Sequence, residues 1–445
     1  MKLTKYLAGL AAFAFASTSH AADVTVNITG ANAFRAATIN AIKAQYLVGN
    51  GTVSFKYAHD KAAGGITGCT RAIFIGNFPG VTGTTTIRCC FTGSVEGVRA
   101  MMPEVTDPSP PTYFNPSVLT STTATDTGAE LASQTTPVAA LGTTSDIAFS
   151  DVGKDSTPYG KYAAFEDQVG VIVFSMVTNN GASSNLTSVS SQQYRAVLGK
   201  GPQPLSLFTG LTADDSSFVV AMGRSDLSGT RTTYLAETGF GFVNPVLQYV
   251  LNTFSGTAMT RLQLVPASGI STLAPAGNGN NCSTTGNAST VWSQSVDGNG
   301  GYSSGGDIAT AMAKTGGAVT VYGASGSDQL GGTKNVALIS WVGISDAMTI
   351  RNNGGRIIGY NGVTLSDLAI SGTELSVNDK AKIGRGQYTA WGYERIFRNR
   401  NLTSGDKLTV YNALFSELPA RIGAAGMAKS ELMVGREVDG GVVAP

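Results

Sequence analysis

Runs of strand character alternate with runs of helical spacing along most of this chain, and that alternation leaves few folds open to it. Val24-Thr25-Val26-Asn27-Ile28 is rich in β-branched residues and alternates, so it reads as a strand. Across residues 34–46, Phe34, Ala37, Ala41, Ile42 and Ala44 fall at helical spacing. Thr29-Gly30-Ala31-Asn32-Ala33 makes the turn between them. A strand at 53–58 and a hairpin of 70–75 with 84–88 follow. The unit then recurs as a strand at 86–91, the turn Thr92-Gly93-Ser94 and a helix at 95–102. Further strands are expected at 146–151, at 169–177 (apolar enough to be buried on both faces), at 218–222, 336–342 and 356–360, and in the alternating run 387–397. Helices are expected through 192–198, capped by Asn185-Leu186-Thr187, and at 232–238, 246–254, 307–314 and 408–418. Strands alternating with helices predict an α/β fold with mixed, mostly parallel sheets and flanking helices. No solenoid-type repeat is present.

The N-terminus has the form of an export signal. Lys2 and Lys5 precede an apolar core over 6–16, and Ser19-His20-Ala21 offers small residues for cleavage. No later run approaches the roughly 20 apolar residues of a spanning helix, and no cysteine stands at the cleavage site to carry a lipid. The reading is a soluble periplasmic or secreted protein of two lobes, without membrane insertion. Charged residues make up 13% of the chain with a formal net charge of +1, which predicts no nucleic-acid footprint. With 56 glycines and frequent Ser and Thr, composition alone leaves an adhesin or matrix protein open.

Four cysteines, Cys69, Cys89, Cys90 and Cys282, allow three full pairings in an oxidising compartment. The hairpin favours Cys69 with Cys89 or Cys90. After the signal the only histidine is His59 and there is no Cys-x-x-Cys, so neither a metal nor a cofactor is expected. Gly301-Tyr302-Ser303-Ser304-Gly305 fits an esterase pattern, but it lacks the preceding apolar strand and His59 comes before the serine, against that fold's order. No Walker loop or dinucleotide fingerprint occurs. Trp292, Trp341 and Trp391 read as core or lobe-surface aromatics before they read as a sugar platform.

Three strand–turn–helix junctions share one chemistry: small turn residues, a hydroxyl or amide, and free N–H groups at a helix start. The most pointed is Arg224-Ser225-Asp226-Leu227-Ser228-Gly229-Thr230, between a strand and a helix. Helix-start N–H groups and the positive end of the helix dipole suit an anion, and Arg224 offers a two-pronged donor that Asp226 is close enough to orient. An ordinary turn capped by Ser228 explains the same residues. In open α/β sheets, ligands gather at the carboxyl ends of strands.

In this order the segments resemble the periplasmic phosphate-binding proteins of phosphate ABC transporters, the two-lobed type II binding-protein family. The likeness rests on Ile28-Thr29-Gly30-Ala31-Asn32-Ala33-Phe34, Gly93-Ser94-Val95-Glu96-Gly97-Val98-Arg99, Asp146-Ile147-Ala148-Phe149-Ser150-Asp151, the helix following Asn185 and, most closely, the 224–230 loop. Segments at 297–311 and 336–342 extend it. It implies lobe one from 22–154 and 336–445, lobe two from 155–335, and a hinge between them. It implies no enzymatic activity, and inorganic phosphate as ligand of a monomer that delivers to an ABC permease. Hydroxyls of Ser94, Ser228 and Thr230, and main-chain N–H groups of Ala33 or Phe34, Gly229 and Thr230, would hold the anion. Arg224 would be the direct cation, supported by Asp226. Asp151 would select a protonated oxyanion, because a carboxylate only accepts hydrogen bonds. Phe34 stands where the family has a threonine, which removes one hydroxyl. Stretches 64–85, 103–144 and 316–334 read as insertions. Another oxyanion as ligand, or a structural protein that kept the fold and lost transport, are the alternatives.

Overall fold

The structure is a computed structural model that describes residues 23–47, 55–61, 66–102, 110–119, 145–162, 164–242, 244–265, 300–423 and 426–445, with short strand pieces at 129–130, 138–140 and 282–283. The expected export signal and Trp292 lie outside these residues.

The first half alternates as its sequence pattern requires. Strand β1 (Val24–Gly30) leads to helix α1 (Arg35–Leu47), then β2 (Phe55–His59), β3 (Arg71–Asn77) and β4 (Thr84–Phe91). Helix α2 (Ser94–Ala100) and strand β5 (Ile147–Ser150) follow. β1 runs parallel to both β4 and β5, and β3 closes antiparallel hairpins with β2 and β4. Alternate residues of these strands enter two cores on opposite faces. Ile147 and Phe149 join α1 in one, and Ala148 packs with Val98 and Met101 of α2 in the other.

Strand β6 (Ala164–Thr178) then carries the chain into a second half. There α3 (Ser191–Lys200), β7 (Ser217–Ala221), α4 (Gly229–Glu237), a hairpin of β8 (Tyr249–Ser255) and β9 (Ala258–Leu264), and α5 (Gly305–Met312) succeed one another. Next come β10 (Thr320–Tyr322), β11 (Asn335–Gly343), α6 (Ile344–Asn352) and β12 (Arg356–Tyr360). β13 (Trp391–Asn399) and α7 (Asp406–Glu417) return to the first half.

A single mixed sheet of 14 strands runs through both halves, with β7-β11-β6-β13-β5-β1-β4-β3-β2 as its spine. Each half has a parallel centre, β4/β1/β5 in one and β7/β11 in the other. The antiparallel β6 and β13 join them over nine paired positions. The change of half is visible in the cores: Val169 and Ile396 belong to the first, Val171, Trp391 and Tyr393 to the second. Trp341 sits at the middle of the second core, edge-on to Tyr360 at 4.8 Å. Trp341 and Trp391 are both fully buried, which excludes them as an exposed platform.

Several expectations are corrected. The chain does not return to the first half at 336: β11 pairs along β7, and Val336 to Trp391 contribute to the second core, so the return falls within β13. The expected helix over 246–254 is strand β8, because Tyr249, Val250 and Leu251 pair with β9 across a turn at Gly256. Ser190, in a capping box with Gln193, starts α3; the Thr187 carbonyl instead accepts from the Gly359 N–H at 2.8 Å. The stretches set aside as insertions contribute core: Phe74 is fully buried, Phe114, Val118 and Leu119 pack on Ala58 and Ile73, and Val319 and Val321 are buried beside β9. Cys69, Cys89 and Cys90 are free, buried thiols rather than disulfide partners. Cys69 lies beyond the last hairpin pair, Arg71 opposite Cys90, and burial pushes its thiol up to about 12. The side chain of Cys282 lies outside the described residues.

The carboxyl ends of β1, β4 and β5 are level, with Gly30 opposite both Phe91 and Phe149. Gly30 has φ 117°, and a Cβ there would stand 2.0 Å from the Phe149 carbonyl oxygen. Gly30→Ala therefore combines a strained backbone, costing about 1–3 kcal/mol, with a main-chain clash. A lower urea midpoint is expected, and an unchanged one would show that this strand end is not held by close contact.

Candidate functional site

The level strand ends carry the site. Just past β1, the Ala31 N–H donates to the Phe149 carbonyl at 2.8 Å, and the Gly93 N–H donates to the Gly30 carbonyl at 2.9 Å. Ser94, at the start of α2, and Asp151, just past β5, are thereby brought together. The Ser94 hydroxyl donates to Asp151 Oδ1, and the Asp151 N–H reaches Ser94 Oγ at 3.4 Å. Both residues are almost fully buried.

The second half closes directly on this pair. The Val95 N–H donates to the Leu227 carbonyl at 3.2 Å. Gly93, with φ 125°, leaves room for that carbonyl; a Cβ would stand 2.4 Å from it. At the start of α4, a Cβ on Gly229 would fall 1.6 Å from Asp151 Oδ1 and 2.5 Å from Ser94 Oγ. Only a residue without a side chain lets the N-terminus of α4 meet the carboxyl and hydroxyl of the other half. Ser228 occupies the cap position but makes no side-chain cap bond, so its hydroxyl is not spent on the helix. Ser228 and Thr230 are both buried.

Arg224 is 7% exposed. Its Nε donates to the Tyr302 carbonyl at 3.1 Å and its Nη2 to the Ser303 carbonyl at 2.7 Å. Gln248 locks the same turn, donating from Nε2 to the Arg224 carbonyl at 2.8 Å while its Oε1 accepts from the Tyr234 hydroxyl at 3.0 Å. Burial lowers the Arg224 pKa; Asp346, Asp151 and Asp307 oppose that in turn. The two carbonyls brace the guanidinium, and Asp226, the expected support, is buried two residues further on.

Ala33 is exposed and Phe34 packs on Phe149 with ring centroids 5.4 Å apart. Among the described residues, no hydrogen bond joins either to Ser94, Asp151 or Gly229. They sit at the start of α1, where only their main-chain N–H groups remain as donors, in keeping with the missing hydroxyl. The Gly301–Gly305 pattern resolves as a helix start: Ser304 caps α5 and accepts from the Asp307 N–H at 3.1 Å. Among the described residues no cluster of His, Cys, Asp or Glu could hold a metal.

Burial pushes the Asp151 carboxyl above its ordinary range, while the Ser94 hydrogen bond and then Arg224 pull it back. Asp151 in turn acts on a second buried carboxyl, Glu394, that sequence reading missed. Glu394 is 2% exposed, its Oε2 has no hydrogen-bond partner, and burial followed by the Asp151 charge pushes it well above the glutamate range. It lies where the sheet changes halves, with Val169 left over between the pairs Glu394–Gly170 and Arg395–Gln168. The signal was available in an acid standing within the apolar alternation of 391–397. Asp346, half-buried beside Gly305 at the start of α5, was missed as well.

No protein-family model matches the chain, and no curated relative does. The chain is similar to solved structures of phosphate-binding proteins. One, from Clostridium perfringens, is assigned as a phosphate ABC transporter substrate-binding protein with bound phosphate, at 10% identity over 91% of this chain and 99% of that one, TM-score 0.41. PstS from Borrelia burgdorferi matches at 11% identity over 91% of this chain and 100% of its own, TM-score 0.37. An ABC-type phosphate transport receptor from Vibrio cholerae matches at 9% over 91% and 99%, TM-score 0.38. At these levels the ligand has to be argued from the residues themselves.

Glu394 makes stability depend on pH. The folded protein keeps a proton there that the unfolded chain releases near the ordinary value of 4.5. Its contribution is complete below that value and is lost as pH rises through the raised folded value. Glu394→Gln is expected to flatten the fall in urea midpoint on going from pH 5 upward. A variant whose slope equals the parent's would show that Glu394 is not protonated in the fold.

Proposed function

We propose that this protein captures a phosphate group between its two halves, without chemistry, and passes it to an ABC-type importer after export. The observation that carries this reading is the meeting of Ser94 and Asp151 from one half with Gly229 at the N-terminus of α4 from the other. A hydroxyl, a helix start and a carboxyl brought to one point, with Arg224 close enough to act on Asp151, form a site for an oxyanion that still bears a proton. In the ligand-free contact Ser94 donates to Asp151. A phosphate would replace that bond: its oxygens accept from Ser94, Ser228, Thr230, the α4 N–H groups and Arg224, and its own hydroxyl donates to Asp151. Sulfate has no proton at neutral pH and would set its charge against a carboxylate. β6 and β13 are the two connections at which the halves can open. Among the described residues no helix is long and apolar enough to cross a membrane. A single chain with its permease is the working assembly in this reading.

Calorimetric titration of the ligand-stripped protein with phosphate, then sulfate, tests it. Phosphate binding without a sulfate response is expected; binding of neither would end the reading. Ser94→Ala and Arg224→Ala each remove a hydrogen bond to a charged ligand, worth roughly 1.5–3 kcal/mol, or about 10- to 150-fold in Kd. Phosphate binding unchanged in Arg224→Ala would sink the assigned site.

The raised Asp151 pKa adds a pH test. Above its folded value Asp151 is an acceptor alone; below it, the protonated carboxyl donates and no longer repels sulfate. Sulfate binding by the parent is expected to grow as pH falls, and Asp151→Asn should bind sulfate already at neutral pH. A sulfate response that is absent at every pH in both proteins would remove Asp151 from the selecting role.

A further inference from the structure

A cavity of about 450 Å³ opens beside the anion site, walled by Asn32, Thr70 and Thr92 from one half and Leu227, Ser303 and Asp307 from the other. Its wall is continuous with the site. The Leu227 carbonyl accepts from Val95, next to Ser94, and the Ser303 carbonyl holds the Arg224 guanidinium. Asn32 Nδ2 reaches that same Ser303 carbonyl from across the cleft at 3.4 Å. A volume of this size lies within the usual range for small-molecule pockets. At about 30 Å³ per water-sized group it has room for ~15 such groups, far more than a free phosphate ion fills.

The lining has the character of a site for a hydroxylated organic group. Arg99 and Glu96 form a buried ion pair on its first-half side, so together they bring no net charge to the space. What remains toward the space is the Asn32 amide, the threonine hydroxyls, the Asp307 carboxylate and Arg35, whose Nε donates to the Thr67 carbonyl at 3.2 Å and whose charge offsets that of Asp307. Asp307 Oδ2 accepts from Ser304 at 2.6 Å and from Ser303 at 3.1 Å, which fixes it as an acceptor for ligand hydroxyls. Phe91, buried at the end of β4, supplies an apolar surface for carbon.

We propose that the cleft takes phosphate monoesters of small polyols as well as the free ion, the phosphoryl group at Ser94, Asp151, Arg224 and the α4 start and the polyol in this cavity. This rests on the phosphate reading above. A monoester still carries a proton on its phosphoryl group below its second pKa of about 6, so the Asp151 acceptor serves it in the monoanion, and its binding should strengthen toward acidic pH.

Calorimetry at about pH 5.5, below the ester's second pKa of about 6, with inorganic phosphate, sn-glycerol 3-phosphate and glucose 6-phosphate on the full exported chain decides it. The expected result is that at least one ester binds within tenfold of inorganic phosphate and competes with it. Thr70→Trp, which fills the cavity from its exposed rim, should weaken the ester at least tenfold and leave inorganic phosphate within twofold. Inorganic phosphate binding with no ester detectable at a hundredfold higher concentration would overturn this inference and leave the phosphate reading standing. Equal weakening of both ligands by Thr70→Trp would also overturn it, since the cavity would then not be what the ester uses. Binding of neither ligand would remove both readings.

Discussion

The pairing of β6 with β13 is the constraint on which the rest of the molecule depends. Each strand contributes residues to both cores, so neither half is complete without the strands that join it to the other. That pairing sets the carboxyl ends of β1, β4 and β5 against the end of β7 and the start of α4, and it does so with hydrogen-bonded backbone rather than with a flexible linker. A continuous sheet limits how the halves can move. An opening of the halves, as the proposed function requires, would twist the two strands about the place where Val169 has no partner and where Glu394 lies buried. A bulge concentrates twist at one place, and a carboxyl with an unpartnered oxygen at that place makes the packing there the least satisfied part of the crossing.

Contact between the halves is made by main-chain groups, a hydroxyl and one carboxyl. Gly93 meets the Leu227 carbonyl, Val95 donates to it, and Gly229 faces Ser94 and Asp151. Approach this close requires the absence of a Cβ on one side, which is why Gly93 and Gly229 stand at these positions. Arg224 is the cation nearest this contact, and its guanidinium is already fixed by two carbonyls. A guanidinium so held loses little conformational freedom when an anion arrives, and its planar fork keeps its remaining donors in a set direction.

Much of this was legible in the sequence, for identifiable reasons. The first-half strands and helices have strong periodicity, and β1, α1, β4 and α2 fall close to where their residues place them. The polar turns at 92–94 and 224–230 stood out because small and hydroxyl residues interrupted apolar runs. What failed had competing physics. Residues 246–254 contain apolar spacing compatible with a helix, and only the pairing of Tyr249 to Ser255 with a partner strand decides otherwise. The boundary at 336 was drawn at a strong apolar strand, but a strand's partners are not written in its own residues, and β11 pairs with β7. Cys89 and Cys90 are neighbours in a strand and so point to opposite faces, which no spacing rule reveals. Glu394 and Asp346 drew no notice because one acid in an apolar run resembles an ordinary surface position until burial is known.

In the proposed phosphate site, the electrostatics would favour a ligand that brings both charge and a proton. Around Arg224 stand Asp346, Asp151 and Asp307, and behind Asp151 stands Glu394. A fully ionised set would leave the cleft negative and closed to any anion. Burial resolves this by pushing Asp151, Asp346 and Glu394 upward, so that protons rather than cations neutralise part of the set. Neutral donors then carry the attraction, and the carboxyls decide which anion is admitted by what each can still accept.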